Sequence, residues 1–249
     1  MNMEIKCVPI AIPDPQTLPL QALPTKDRIV SPINSQLPNL QFLTDILGQF
    51  SAEGDGLLAE IFGDFFIGRR FIINCVATQG ISEPYDAWCA EYNGRRSFFF
   101  NLSLWTAEDL KRSGLAVIKH EITHILLCEL LPETDISNPL KKLERIIIDE
   151  GLAHFIGFPK NRETLLVKHT DKWIAAEKEL AAAQAQLSNM GLPPHETEQL
   201  IQRADTESYW KKYAAISGMF RAAKTYQTSG AAGLRNCIKT GALPKQIFS

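Results

Sequence analysis

Residues 116–131, AVIKHEITHILLCELL, are the segment that most constrains how this chain folds. Their apolar side chains cover most of the circumference of a helix, which predicts a largely buried helix over about 115–131. Two histidines and a glutamate, His120, Glu121 and His124, lie inside this apolar run. Buried imidazoles and a buried carboxylate cost free energy unless they have partners, so the fold must supply those partners.

The spacing of the two histidines indicates a metal ion as the partner. Residues four apart share one face of a helix, so His120 and His124 point the same way. Glu121 is displaced by about 100° around the axis, where it reaches a water on the metal more easily than the metal itself. This is the physical content of H-E-x-x-H, the zinc metalloprotease signature. The alternative, an amphipathic helix with two surface histidines, is disfavoured by the surrounding apolar residues.

A catalytic zinc usually has three protein ligands and one open position, so a third ligand is required. The sequence RIIIDEGLAHF on the next predicted helix offers three candidates. Glu150 is favoured because it shares a helical face with apolar residues, where a metal bond explains a carboxylate. Asp149 and His154 are the alternatives, although an ion pair with Arg145, four residues earlier, already explains Asp149. The small Gly151 and Ala153 on this helix are expected to let it pack closely against the histidine helix.

The N-terminal residues 1–38 are predicted to form an irregular arm. They hold seven of the fourteen prolines, which exclude a regular helix there. We expect the arm to wrap the domain or to stay loose. Residues 39–249 then form one domain, with a sheet and the histidine helix over 39–131 and a helical subdomain carrying the third ligand over 132–249.

Three strands are predicted before the histidine helix. FIINCVA, residues 71–77, is rich in β-branched and aromatic residues. Asn93-Gly94 separates two β-prone runs, over about 87–92 and 95–103, which is a strong hairpin signal. Thr106, with an acid three residues later, predicts a helix start.

The remaining chain is predicted to be helical, with interruptions near Gly54 and Gly56 and at Gly114. Asn138 with Pro139 marks the start of another helix. The predicted helices are, approximately, 40–62 in two pieces, 106–112, 115–131, 139–157, 162–189, 195–204, 206–227 and 231–238. Strands followed by helices, rather than alternating with them, predict an α+β fold.

Composition argues against several classes of partner. A net charge of −2 and a pI of about 6.2 favour neither nucleic acid nor an anionic membrane surface. No apolar run approaches the roughly 20 residues of a membrane helix, and the N-terminus does not resemble a signal peptide. The five widely spaced cysteines are interpreted as buried free thiols in a reducing compartment. These features predict a cytoplasmic protein, without nucleic-acid or membrane partners, and make no prediction of oligomeric state.

HEITH at 120–124 followed by DEGLAHF at 149–155 resembles the gluzincin arrangement. It is more closely similar to the YjaZ-like predicted zinc-dependent proteases, whose second motif is similar to E-G-L-A. The resemblance covers about 87–158, and more weakly 209–218. It implies a zincin-like fold, in which a small mixed or antiparallel N-terminal sheet and an active-site helix precede a mostly helical C-terminal part. It also implies one Zn²⁺ per chain and a peptide or protein substrate, and the chain departs from the thermolysin-type pattern at His154.

The expected chemistry is metal-assisted peptide hydrolysis. Zinc lowers the pKa of its bound water toward about 7 and polarises the scissile carbonyl. Glu121 takes the water proton as general base and passes it to the leaving amine. A developing oxyanion needs a further donor, and Tyr213, Tyr209 and His154 are the candidates, each of which also has a structural interpretation.

The strand RSFFFNLSL bears on substrate binding. In zincin folds this position is the sheet edge beside the cleft, and the resemblance implies it here. A peptide would then add to that edge as an extra strand, in contact with Asn101 and the backbone near it. Phe98, Phe99 and Phe100 are interpreted as packing into both faces of a buried strand, which is compatible with backbone contacts to a peptide.

A zinc metallopeptidase is therefore the leading interpretation. One alternative is a binding or regulatory protein that keeps the zincin fold and metal but cleaves poorly or cleaves one partner. A second alternative is a hydrolase of a non-peptide amide. Glu121 favours the peptidase, because a scaffold has no need of a general base.

Overall fold

The computed structural model of the protein describes residues 3–11, 38–53, 55–67, 71–79, 86–92, 94–158, 162–189 and 191–245. Contacts divide the chain into two compact units, Met1–Ile125 and Leu126–Ser249. The first unit contains a sheet and helices, and the described elements of the second unit are helices. The predicted α+β class, with a small N-terminal sheet and a helical C-terminal part, is confirmed.

The sheet of the first unit has four strands, β1 (Met3–Ala11), β2 (Phe71–Gln79), β3 (Ala87–Tyr92) and β4 (Arg95–Asn101). Their order is β1-β2-β4-β3. β1 and β4 run parallel to β2, while β3 is antiparallel to β4, so the sheet is mixed. The three predicted strands and the hairpin are confirmed. Gly94 adopts φ 70° in the hairpin turn, a conformation that glycine reaches without strain.

β1 is a strand that the proline content of residues 1–38 did not predict. It tolerates Pro9 because it is an edge strand of the described sheet, where a missing N–H costs little. The N–H of Ile5 donates to Ser51 Oγ at 3.2 Å, so this edge amide is satisfied from a helix. The rest of the arm, residues 12–37, lies outside the described residues.

β4 is an inner strand, so its expected place at the sheet edge is wrong. Its residues pair with β2 on one side and with β3 on the other. The hairpin explains this difference, because β3 folds back onto the side of β4 that would otherwise be open. Asn101 is fully buried, pairs with Thr78, and its N–H donates to the Asp86 carbonyl at 2.9 Å. The predicted substrate contact at Asn101 therefore loses its structural basis.

The three consecutive phenylalanines of β4 are buried on both faces of the sheet, as predicted. Phe98, Phe99 and Phe100 are each 0% exposed. Phe99 packs with Val76 and Tyr92 in an apolar cluster on one face. Phe98 and Phe100 project to the other face, since side chains alternate along a strand.

Four helices belong wholly or partly to the first unit: α1 (Pro38–Glu53), α2 (Gly56–Phe62), α3 (Ala107–Asp109) and α4 (Leu115–Leu130). The predicted interruption before Gly56 is confirmed. Thr106 caps α3, with its hydroxyl accepting from the Asp109 N–H at 3.1 Å. Gly114 does not end the helix as expected. A π-helical turn, Leu110–Gly114, joins α3 to α4 instead.

The second unit contains α5 (Pro139–Gly157), α6 (Leu165–Lys168), α7 (Thr170–Leu187), α8 (Pro194–Asp205) and α9 (Tyr213–Thr240). Asn138 caps α5, as predicted, by accepting from the N–H groups of Leu140 and Lys141. The single helix predicted over 162–189 is divided at His169. The helix expected from 206 begins only at Tyr213, and its predicted interruption is found at Gly230, where φ is 60°. None of the described helices is long and apolar enough to cross a membrane.

Two glycines let α5 and α9 touch backbone to backbone. A Cβ on Gly218 would lie 1.9 Å from the Ile147 carbonyl oxygen, and one on Gly151 would lie 2.5 Å from the Gly218 backbone. Gly151 was expected to admit the histidine helix, and that expectation is wrong. Its missing side chain admits α9, which packs along α5 within the second unit.

Candidate metal centre

The two histidines of α4 converge as their spacing predicts. Nε2 of His120 and Nε2 of His124 lie 3.0 Å apart, with the rings nearly perpendicular at 80° and their centroids 4.6 Å apart. Both side chains are partly buried. Two imidazole nitrogens at this distance either share one proton or bind one cation. The pair therefore forms two-thirds of a His₂-carboxylate ligand set.

Glu121 is buried beside a thiol that the sequence analysis did not single out. Its side chain is only 5% exposed. Cys89 Sγ on β3 lies 3.2 Å from Glu121 Oε2 and 3.3 Å from the Glu121 carbonyl oxygen, so its S–H donates toward this residue. A hydrogen bond to the charged form stabilises a buried carboxylate and limits its rotation. No local sequence signal reveals this contact, because it requires the hairpin strand to face α4.

The other polar side chains around the histidines on α4 are also satisfied. Lys119 Nζ forms a 2.5 Å salt bridge with Asp55, which in turn caps α2 by accepting from the Leu58 N–H. Thr123 is fully buried, and its hydroxyl donates to the Lys119 carbonyl at 2.7 Å. The ion pair of Lys119 with Asp55 joins α4 to the start of α2 within the first unit, while the Thr123 hydrogen bond lies within α4 itself.

On α5, Glu150 and Asp149 have different surroundings. Asp149 lies 3.7 Å from Arg145. This confirms the predicted ion pair that explains an acidic residue at position 149. Glu150 is partly buried, and its Oε2 lies 3.6 Å from Nε2 of His154. His154 is 7% exposed and packs edge-to-face against Tyr209. The 3.6 Å separation is longer than a hydrogen bond, so His154 is a close neighbour of the Glu150 carboxylate and not a hydrogen-bond donor to it.

Ligand atoms from His120, His124 and Glu150, one from each side chain, all lie within 4.8 Å of one another. Donors bound to one tetrahedral zinc ion at about 2.1 Å lie roughly 3.4 Å apart. The two histidine nitrogens, 3.0 Å apart, are already close to that distance. Two imidazoles and a carboxylate are also a donor set that zinc prefers. The residues therefore fit a zinc ion.

The two tyrosines proposed as oxyanion donors are engaged elsewhere. The Tyr213 hydroxyl, on a side chain 1% exposed, donates to the Leu200 carbonyl at 2.6 Å. The Tyr209 hydroxyl lies 3.6 Å from Met219 Sδ. Burial raises the pKa of each tyrosine to about 12, although Tyr209 keeps 39% of its surface exposed. Both hydroxyls stay protonated at neutral pH, and that of Tyr213 already has an acceptor within its own unit.

Asp205, at the end of α8, is a further acidic group that the sequence analysis missed. Burial, followed by the negative charge of Glu150, raises its pKa to about 6 against the opposing charges of Lys212 and Lys142. The protonation of Asp205 therefore depends in part on the charge of Glu150. Residues 194–205 have the pattern of an ordinary polar helix, so no sequence signal marks this carboxyl.

None of the protein-family models, curated proteins or solved structures compared with this chain gives a significant match.

Proposed function

We propose that this protein is a zinc-dependent metallopeptidase with a zincin-like fold, related to the YjaZ-like proteases. His120, His124 and Glu150 bind the metal in this proposal. The observation that carries it is the approach of their three ligand atoms to within 4.8 Å. Further support comes from Glu121, an acid retained at the H-E-x-x-H position and buried next to a donor.

A zinc ion held by His120, His124 and Glu150 would supply a Lewis acid that activates water and polarises a carbonyl. Glu121 holds a carboxylate next to His120 on the same helix, where it would accept the proton of the attacking water and return it to the leaving amine. The Cys89 hydrogen bond keeps this carboxylate in one orientation. His154 lies 3.6 Å from Glu150, one turn further along α5.

The proposed substrate is a peptide or protein bound as an extended strand. Within the described sheet, β3 pairs on one side only, with β4. An extended segment adds to such an edge through main-chain hydrogen bonds. β3 also carries Cys89, which contacts Glu121, so a peptide on β3 would pass close to the general base. β3 thus replaces β4 as the proposed docking strand.

We also propose a reducing compartment such as the cytoplasm. All five cysteines are free thiols in the structure. Three of them, Cys7, Cys89 and Cys128, are only partly buried, so the expectation of uniformly buried thiols is wrong. Partly accessible cysteines that form no disulfide persist as thiols where the surroundings are reducing.

Metal content is the first test. Protein purified without added metal is expected to hold about one zinc per chain, and His124→Ala and Glu150→Ala are expected to lose it. Glu144→Ala is the matched control, since Glu144 is an exposed acid on the same helix as Glu150. A parent that takes up no zinc on titration would overturn the proposal.

Peptide cleavage is the second test. Glu121→Gln is expected to keep its zinc and to lose about 10²–10⁴-fold in kcat on a peptide from an unrelated-sequence library. Glu129→Gln, an exposed position on the same helix, should cleave like the parent. Zinc binding without cleavage of any peptide would favour the binding protein or the non-peptide hydrolase instead.

A further inference from the structure

Three of the five cysteines lie in one row across the sheet of the first unit. Cys7 on β1 is directly opposite Cys75 on β2. Cys75 is opposite Phe98 on β4, which is opposite Cys89 on β3. Residues opposite each other on neighbouring strands project from the same face of a sheet. Cys7 and Cys75 are therefore immediate neighbours, and Cys89 lies two strands further along.

The position of Cys7 and Cys75 suits a disulfide. Neighbouring strands are about 4.8 Å apart, and the Cα atoms of disulfide-bonded cysteines are about 4.4–6.8 Å apart. A bond between the two sulfurs therefore needs side-chain rotation and no movement of the strands. Cys89 is separated from Cys75 by β4, at roughly twice the strand spacing, which is beyond this range.

The two thiols are chemically unequal. They are hydrogen-bonded to each other, and this bond is the main reason that the pKa of Cys7 falls to about 7; a bond from Thr44 also lowers it, while burial opposes both. The pKa of Cys75 is raised well above its usual value, first by burial, then by Cys7 and by the charge of Glu121. Cys7 is therefore the cysteine of the pair that loses its proton more readily, and Cys75 is the one that keeps it.

The two cysteines also differ in their exposure to solvent. Cys7 is partly exposed on an edge strand of the described sheet, whereas Cys75 is fully buried on an inner strand. A partly accessible thiolate beside a buried thiol is the arrangement of an attacking and a resolving cysteine.

We propose that Cys7 and Cys75 form a dithiol site that small-molecule disulfides oxidise to an intrachain disulfide. The Cys7 thiolate attacks one sulfur of the small disulfide, whose S–S bond breaks and releases one thiolate. Cys75 then gives up its proton and attacks the Cys7 sulfur, which expels the second thiolate. The protein loses two electrons and two thiols, and the small disulfide is reduced to two thiols. The resulting bond fastens β1 covalently to β2.

Glutathione disulfide is the probe for this site, and the test does not depend on zinc or on peptidase activity. The reduced full-length protein is incubated with it, remaining thiols are alkylated, and peptides are mapped by mass spectrometry. We expect two of the five thiols to disappear and a Cys7–Cys75 cross-linked peptide to form. A cross-link between any other pair, or no cross-link in folded protein, would overturn the proposal.

Single variants separate the two roles. Cys75→Ser is expected to stop at a stable glutathione adduct on Cys7, while Cys7→Ser should leave Cys75 unmodified. Cys237→Ser, a buried cysteine in the second unit, should still form the cross-link. An adduct on Cys75 in the Cys7→Ser protein would contradict the assignment of Cys7 as the attacking thiol. Circular dichroism shows whether each variant is folded. If a variant does not fold, the peptide map of the parent protein alone tests the proposal.

Discussion

The proposed general base accepts a hydrogen bond from a thiol. Cys89 donates to Glu121 from β3, and Glu121 is 5% exposed. A hydrogen bond to a buried carboxylate is stronger than one in water, but a thiol is a weak donor. The contribution of Cys89 is therefore expected to be modest and to lie in the orientation of Glu121.

We expect Cys89→Ala to lower kcat roughly two- to tenfold on a peptide that the parent cleaves, with KM little changed. Cys89→Ser, which restores a donor of similar size, should recover most of the loss. Zinc content is measured alongside and should be unchanged in both variants. Equal kcat values in parent and Cys89→Ala would show that the thiol does not position Glu121.

Asp205 gives a prediction about pH. Because the pKa of this carboxyl is higher in the folded protein, at about 6, than in the unfolded chain, the folded state holds more protons between about pH 4 and 6. Stability contributed by this group therefore falls as pH rises through that window. In protein kept metal-free with a chelator, Asp205→Asn should become more stable than the parent by roughly 1–3 kcal/mol above pH 6.

Urea unfolding at several pH values measures this difference. The gain should be small near pH 4 and should grow toward pH 6. Asp171→Asn is the control, because Asp171 is exposed and the Lys172 hydrogen bond lowers its pKa, so no such gain is expected. If the difference in unfolding free energy between Asp205→Asn and the parent does not vary with pH, the raised pKa of Asp205 is contradicted.

At the scale of elements, the contact of α5 with α9 depends on two positions without side chains. Gly218→Ala would place a methyl group 1.9 Å from a backbone oxygen of α5, so the helices must separate. Forced overpacking of this kind costs about 3 kcal/mol or more. We expect urea unfolding to show a loss of that size for Gly218→Ala.

Gly48→Ala is the matched helical control. Nothing lies within 4 Å of a Cβ at Gly48 in α1, so alanine there should be neutral or stabilising by roughly 0.5–1 kcal/mol. If Gly218→Ala and Gly48→Ala both unfold at the same urea concentration as the parent, the close backbone contact between α5 and α9 is contradicted.

At the scale of the whole molecule, a metal that binds only the folded chain stabilises it. Free zinc at about 1,000 times its dissociation constant adds about 4 kcal/mol, which for a chain of this size raises Tm by roughly 8–16 °C. Differential scanning calorimetry with and without a chelator measures this shift. Glu144→Ala should retain it and Glu150→Ala should lose it, whereas an equal shift in both variants would place the zinc elsewhere.

The sequence predicted the elements of both units well where local chemistry is strong. The hairpin at Gly94, the caps at Thr106 and Asn138 and the interruption near Gly230 are confirmed. Each depends on residues next to one another in the chain. The approach of His120 to His124 was predictable for the same reason, because helix geometry fixes residues four apart.

Some of the wrong expectations were local, such as the helix break at Gly114 and the single helix over 162–189. Other features that the sequence did not predict involve partners distant in sequence. The inner position of β4, the close approach of Gly151 to Gly218 and the contact of Cys89 with Glu121 depend on which elements pack together. Local propensity contains no such information, since a strand looks the same at an edge and in the middle of a sheet.

The sequence by itself determined the α+β order, the proposed ligands and the proposed general base, because these follow from short spacings on regular elements. Only the tertiary structure decided which strand is at the edge, which thiols are neighbours and which glycines face each other. The physical reason is that burial, register and helix contact arise when distant segments meet, and no segment specifies its partner alone.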